Sequence, residues 1–230
     1  MKRVVIIVVT FVLSAMLYGC HPPVGDDMVI TPKSFIGYLT YAREIELFTT
    51  RNISEKQTLF VGFDGYNLTG ERKEKALEAI GDMNYNQDIY FQRVGHVLYY
   101  DFVGIDIVSS AQFGDVAPGE SLTSKVLYGA LSIKPFIDSG YTLFGDWDAP
   151  EVQASGFWEY GSYDYYYSEW QPIVKPLNEV TRSDMELLES RKGMRLKFTE
   201  VPEVKEHTFT VTIADEWGHV MTASIDYVFE

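Results

Sequence analysis

The sequence predicts a mostly-β domain, an antiparallel sandwich with one or two short helices. Three observations carry that expectation. The carboxyl-terminal stretch alternates apolar and polar residues with period two on both sides of a turn. Further runs rich in aromatic or β-branched residues sit between Gly, Pro, Asn and Asp punctuation. No strand–helix–strand rhythm of the kind a parallel sheet needs is present. Many short strands with few helices fit an immunoglobulin-like sandwich better than an α/β architecture.

In chain order, segments 35–41, 44–49, 58–63, 97–108 and 131–137 are the less regular strands. Residues 71–80 (ERKEKALEAI) are good helix formers and stop at Gly81, a residue suited to the left-handed helix end. Ser183-Asp184-Met185-Glu186 fits a capping box, predicting a second helix that ends before Gly193. Met194, Leu196 and Phe198 alternate with Arg195 and Lys197, making a strand that closes before Val201-Pro202. Over 208–213, Phe209, Val211 and Ile213 share one face and threonines the other. Residues 214–218 form a turn containing Gly218. The stretch 219–229 then places Met221, Ala223, Ile225, Tyr227 and Phe229 on a single face, completing a hairpin with one buried side. No internal repeat or interior linker divides the chain, so residues 28–230 read as one domain.

Composition bounds the function. The 230 residues are 46% hydrophobic and 23% charged, which supports a real core and excludes intrinsic disorder. With 19 Lys and Arg against 33 Asp and Glu, the net charge of −14 excludes nucleic acid and gives no electrostatic attraction to an anionic lipid surface.

The amino terminus reads as an address. Lys2 and Arg3 precede an uncharged, mostly apolar run over 4–17, too short for a comfortable membrane span and suited to a signal-peptide core. Leu17-Tyr18-Gly19-Cys20 follows directly. This order resembles the lipobox of bacterial lipoprotein precursors. The resemblance implies that residues 1–19 are a signal peptide removed after Gly19 and that Cys20 carries the lipid. Residues 20–27 are then a lipidated cysteine with a flexible tether. It further implies a cell-envelope protein held in the outer membrane, with the membrane as a partner through Cys20. Removal of Lys2 and Arg3 takes the net charge to −16. Cys20 is the one cysteine, so no disulfide forms within the chain. The carboxyl hairpin, with Ile105-Asp106-Ile107-Val108-Ser109-Ser110 and Ala117-Pro118-Gly119-Glu120-Ser121-Leu122, is similar to Bacteroidetes lipoproteins of about this size, a likeness that brings no activity with it.

Catalytic constellations are missing from the sequence. It contains no HExxH, GxSxG, GxxxxGK[ST] or GxGxxG pattern. His21, His96, His207 and His219 lie singly, without metal-ligand spacing, although His207 and His219 flank the last hairpin and would approach each other if its strands brought them together. Asp146-Trp147-Asp148 reads as a turn, because Ala149-Pro150 follows where a calcium loop needs oxygens. No catalytic residue, metal or cofactor is expected.

One segment is unusual. Residues 157–170 hold eight aromatics: Phe157, Trp158, Tyr160, Tyr163, Tyr165, Tyr166, Tyr167 and Trp170. A sandwich buries one face of each strand, so part of this set should be exposed. Trp158, Tyr160, Tyr165, Tyr167 and Trp170 are the candidate ligand contacts. Three readings stay open: a satellite core beneath a long loop, stacking against sugar rings with acids accepting hydroxyl hydrogen bonds, or a protein interface. The expected function is a non-catalytic, lipid-anchored binding module for a polysaccharide or an envelope partner. The alternatives are a structural or assembly component of an envelope complex, and a carboxylate-dependent glycan enzyme with Glu159 and Glu169 as first suspects.

Overall fold

The computed structural model describes residues 29–49, 57–100, 102–158 and 167–230. Its elements are β1 (Val29–Ile30), β2 (Ile36–Thr49), β3 (Thr58–Asn67), α1 (Gly70–Ile80), β4 (Ile89–Tyr90), β5 (Gly95–Leu98), β6 (Phe102–Ser109), β7 (Val126–Ser132), α2 (Lys134–Asp138), α3 (Pro150–Ser155), β8 (Gln171–Pro176), β9 (Met194–Phe198), β10 (Glu206–Asp215) and β11 (Val220–Val228). The protein is mostly β, with three short α-helices and open sheets.

Six strands form one sheet in the order β5-β2-β3-β9-β7-β8, three form a second in the order β11-β10-β6, and β1 pairs with β4. All pairings are antiparallel except β2 with β5, which run parallel. That pair corrects the all-antiparallel expectation. The long connection from β3 through α1 returns the chain to the edge of β2 in the same direction, which a tight hairpin cannot do.

The hairpin behaves as its alternation requires. Phe209 lies opposite Ile225, Val211 opposite Ala223 and Ile213 opposite Met221. Phe209, Val211 and Ile213 are fully buried. They meet Leu59 and Val61 of β3, Tyr128 of β7 and Leu196 of β9, so the two larger sheets face each other across a first core. Side chains alternate along a strand, so Gly129 and Leu131 of β7 point the other way from Tyr128 and Ala130. On that side a second core gathers Leu39, Leu131, Ala76 and Leu77 of α1, Phe136 of α2, and Trp170. Asp82, just past α1, ties this layer together: it accepts hydrogen bonds from the backbone N–H groups of Phe35 (2.9 Å) and Ile36 (2.7 Å) and from the Tyr141 hydroxyl (2.8 Å).

Two sequence expectations are corrected here. Segment 131–137 is not a strand: β7 ends at Ser132 and α2 begins at Lys134, with Pro135 in its first turn, where a proline costs nothing. The capping box belongs to Thr181 and Asp184 rather than to Ser183 and Glu186. It opens a single 3-10 turn over Arg182–Met185 instead of a helix. The chain then becomes extended because the backbone of 186–188 is bound elsewhere: the Ser132 hydroxyl donates to the Glu186 carbonyl (2.7 Å), and the N–H of Leu98 to that of Leu188 (2.8 Å).

Candidate functional site

The turn between β10 and β11 is built around one carboxylate. Asp215 has no exposed side-chain surface. It accepts hydrogen bonds from the N–H of Trp217 (3.0 Å), the N–H of His219 (2.7 Å) and His219 Nδ1 (3.0 Å), and from the Tyr100 hydroxyl. Gly218 takes the left-handed conformation, φ 84°, that a three-residue hairpin loop demands, and its N–H donates to the Asp215 carbonyl (3.2 Å). Burial pushes the Asp215 carboxyl up, but the hydrogen bonds from His219 and Tyr100 more than reverse this and hold it below the usual range. Burial and the adjacent Asp215 in turn raise the Tyr100 phenol.

This turn leaves Trp217 at its apex, 57% exposed, its ring edge-on to Tyr100 with centroids 6.3 Å apart. Beneath it opens a cleft of about 260 Å³, lined by Trp217, Tyr99 and Tyr100, by the end of α1, and by Lys134 and Glu186. Tyr99 continues the line of β5, its N–H bonded to the Thr40 carbonyl at 2.8 Å. Lys134 Nζ lies 2.8 Å from Asp138 and 3.6 Å from Glu186. The cleft therefore offers an exposed aromatic face beside a charged pair, the combination that holds a small polar ligand with apolar faces.

The aromatic segment is divided between the core and residues outside the description. Trp170 is 2% exposed inside the second core, so as a surface contact it is corrected to a packing residue. Phe157 is buried against the backbone of Gly129, where any Cβ would come within 2.6 Å of its ring. Trp158 is half-buried, edge-on to Trp147 (5.7 Å), with the Arg195 guanidinium 5.3 Å from its ring centroid. Tyr167 is half-buried, and its carbonyl accepts from Trp147 Nε1 at 3.2 Å. Tyr160, Tyr165, Glu159 and the lipidation candidate Cys20 lie outside the described residues. Among the described positions, Trp170 lies in the second core and Trp158 and Tyr167 pack against it.

Other candidates are resolved by register and burial. Glu169 is 8% exposed and paired with Arg93 at 3.1 Å, which corrects its standing as a catalytic suspect: a general acid or base must reach substrate. His207 and His219 sit at opposite ends of β10, because the register pairs His207 with Tyr227 and leaves His219 in the turn. His207 instead binds Ser109 Oγ through Nδ1 (2.7 Å) and the Val204 carbonyl through Nε2 (2.8 Å). Among the described residues, no three His, Cys, Asp or Glu side chains converge as a metal site requires. No helix there is long and apolar enough to cross a membrane.

Comparisons with protein-family models, with curated proteins and with solved structures found no match for this chain. The cleft residues Tyr99, Tyr100, Lys134, Glu186 and Trp217 escaped the sequence reading because four separate segments supply them. One signal was legible: a tryptophan in an Asp-Glu-Trp-Gly turn, a position that faces solvent.

Proposed function

We propose that this chain is a lipid-anchored cell-envelope protein that acts as a non-catalytic binding module, taking a sugar unit of a glycan in the Trp217 cleft. A sandwich of immunoglobulin-like character, a three-stranded sheet facing a larger one, is the scaffold. The observation that carries the binding reading is Trp217: a large aromatic ring held exposed by a turn whose buried carboxylate fixes the backbone. Flat rings stack on the C–H faces of a pyranose, and Lys134 and Glu186 supply a donor and an acceptor for its hydroxyls. The cleft volume suits one ring better than a drug-sized ligand. The lipid anchor rests on the order of basic start, apolar run and Leu17-Tyr18-Gly19-Cys20.

The test is tryptophan fluorescence of residues 21–230 titrated with a panel of polysaccharides. A saturable change that Trp217→Ala abolishes, while Trp158→Ala leaves it in place, is the expected result. A panel that leaves emission unchanged, with partners recovered instead from cross-linked envelopes, would replace this reading with the assembly role.

A further inference from the structure

Of the thirteen large apolar side chains exposed among the described residues, five, Val29, Tyr90, Phe91, Leu143 and Phe144, lie on segments tied to one another. Val29 lies directly opposite Tyr90 in the β1–β4 pair, so both point to the same face, while Ile30 and Ile89 point into the second core. Phe91 follows Tyr90. The 141–145 loop is bound to the same end: Arg93 donates to the Ser168 hydroxyl (2.8 Å), the N–H of Gly145 donates to the Ser168 carbonyl (2.8 Å), and Phe144 packs on Phe136, which touches Phe35. This is also the end at which the chain arriving from Cys20 joins the fold, at Val29.

We propose that this apolar end is the face on which the domain rests against a zwitterionic lipid bilayer. The proposal builds on the lipid-anchor reading. Eight residues separate Cys20 from Val29, and a fully extended chain of that span reaches at most about 30 Å. A tether that short keeps Val29 within about 30 Å of the membrane, so the end bearing it is the part of the domain that meets lipid most readily. Tyr90 is suited to the headgroup region, with an apolar ring and a wet hydroxyl, and Phe and Leu side chains to the acyl boundary just beneath it. The net charge of the mature chain argues for zwitterionic over anionic lipid.

The test uses the lipidated full chain in phosphatidylethanolamine–phosphatidylcholine vesicles. Because Cys20 is the one natural cysteine and its thiol would carry lipid, a single introduced cysteine takes an environment-sensitive dye alone. Thr142→Cys and Phe144→Cys probe the face; Thr222→Cys on β11 is the control. Blue-shifted dyes at 142 and 144, quenched several-fold by brominated lipid, with position 222 unaffected, are expected. Equal and unquenched dyes at all three positions, on protein that carries lipid by mass, would overturn the resting face while leaving the anchor intact. Absence of lipid mass on Cys20 would instead remove the anchor reading itself.

Discussion

The backbone N–H of Trp217 donates a 3.0 Å hydrogen bond to Asp215, a carboxylate with no exposed surface of its own. The most exposed tryptophan is thus positioned by one of the most enclosed acids. Asp215→Ala leaves the N–H groups of Trp217 and His219 and the Tyr100 hydroxyl without their acceptor. The cost should be about 1–2 kcal/mol, because these part-buried donors lose a charged acceptor that water only partly replaces. Urea unfolding should show the lowered midpoint, and glycan titration should weaken at least tenfold in protein that remains folded. A stable variant with unaltered binding would show that the turn needs no such support.

Two sets of acids should pull the pH dependence of stability in opposite directions. Burial raises the carboxyls of Asp184 and Asp215, yet hydrogen bonds from Lys175 and Thr181 in one case, and from His219 and Tyr100 in the other, bring them net below the ordinary value. Their stabilisation is complete above the unfolded pKa, near 3.9, and is lost as pH falls through the folded values. Asp82 and Glu189 are net raised by burial, which their hydrogen bonds only partly offset. The folded state holds those protons longer than the unfolded chain, so stability should fall as pH rises above about 4 through their folded values. Urea midpoints from pH 2.5 to 7 should therefore rise and then decline. Asp82→Asn should lower the whole curve and flatten its declining limb. An unchanged limb would remove Asp82 as its source.

The tautomer of His207 is dictated by its partners. A backbone carbonyl can only accept, so Nε2, 2.8 Å from the Val204 oxygen, must carry the proton, and Nδ1 accepts from Ser109. Where the ring is neutral, imidazole nitrogen shifts in a ¹⁵N-labelled sample should report the proton on Nε2. Ser109→Ala should cost about 1–3 kcal/mol by stranding a buried acceptor. A protonated Nδ1 would contradict the pairing.

Gly129→Ala tests how the aromatic segment is seated. A Cβ there meets the Phe157 ring at 2.6 Å, so the ring or the strand must move. Overpacking of this kind costs about 1–3 kcal/mol. Because Trp158 follows Phe157, its emission should shift to the red and become more open to quencher. A variant with wild-type emission and stability would mean that the ring has room to yield.

Much of the fold was legible from local pattern. Strands β9, β10 and β11 and helix α1 lie where alternation and helix propensity placed them, and Gly81 ends α1 in the left-handed conformation, φ 88°. These are features in which one stretch of chain decides its own period and its own stop. The 182–185 segment misled because a capping box is present there, but between Thr181 and Asp184, and the backbone beyond it is claimed by Ser132 and Leu98 from distant strands. The aromatic segment misled for a related reason. Of its described members, Trp158, Tyr167 and Trp170 pack into a second core on the outer side of the six-stranded sheet, which is invisible until α1, α2 and the 141–149 loop are folded over it.

By itself, the sequence determined the β-rich character, the alternating faces of the last hairpin, the position of the first helix and the pattern that predicts a lipid anchor at Cys20. Each of these is set by neighbours within a few residues, through side-chain period, turn chemistry or a short linear signal. The tertiary structure alone decided that Trp170 is interior and Trp217 exposed, that Glu169 is tied to Arg93, and that Tyr99, Lys134 and Glu186 line one cleft. Burial and convergence depend on segments far apart in the chain meeting across the sheets, and no local spacing encodes that meeting.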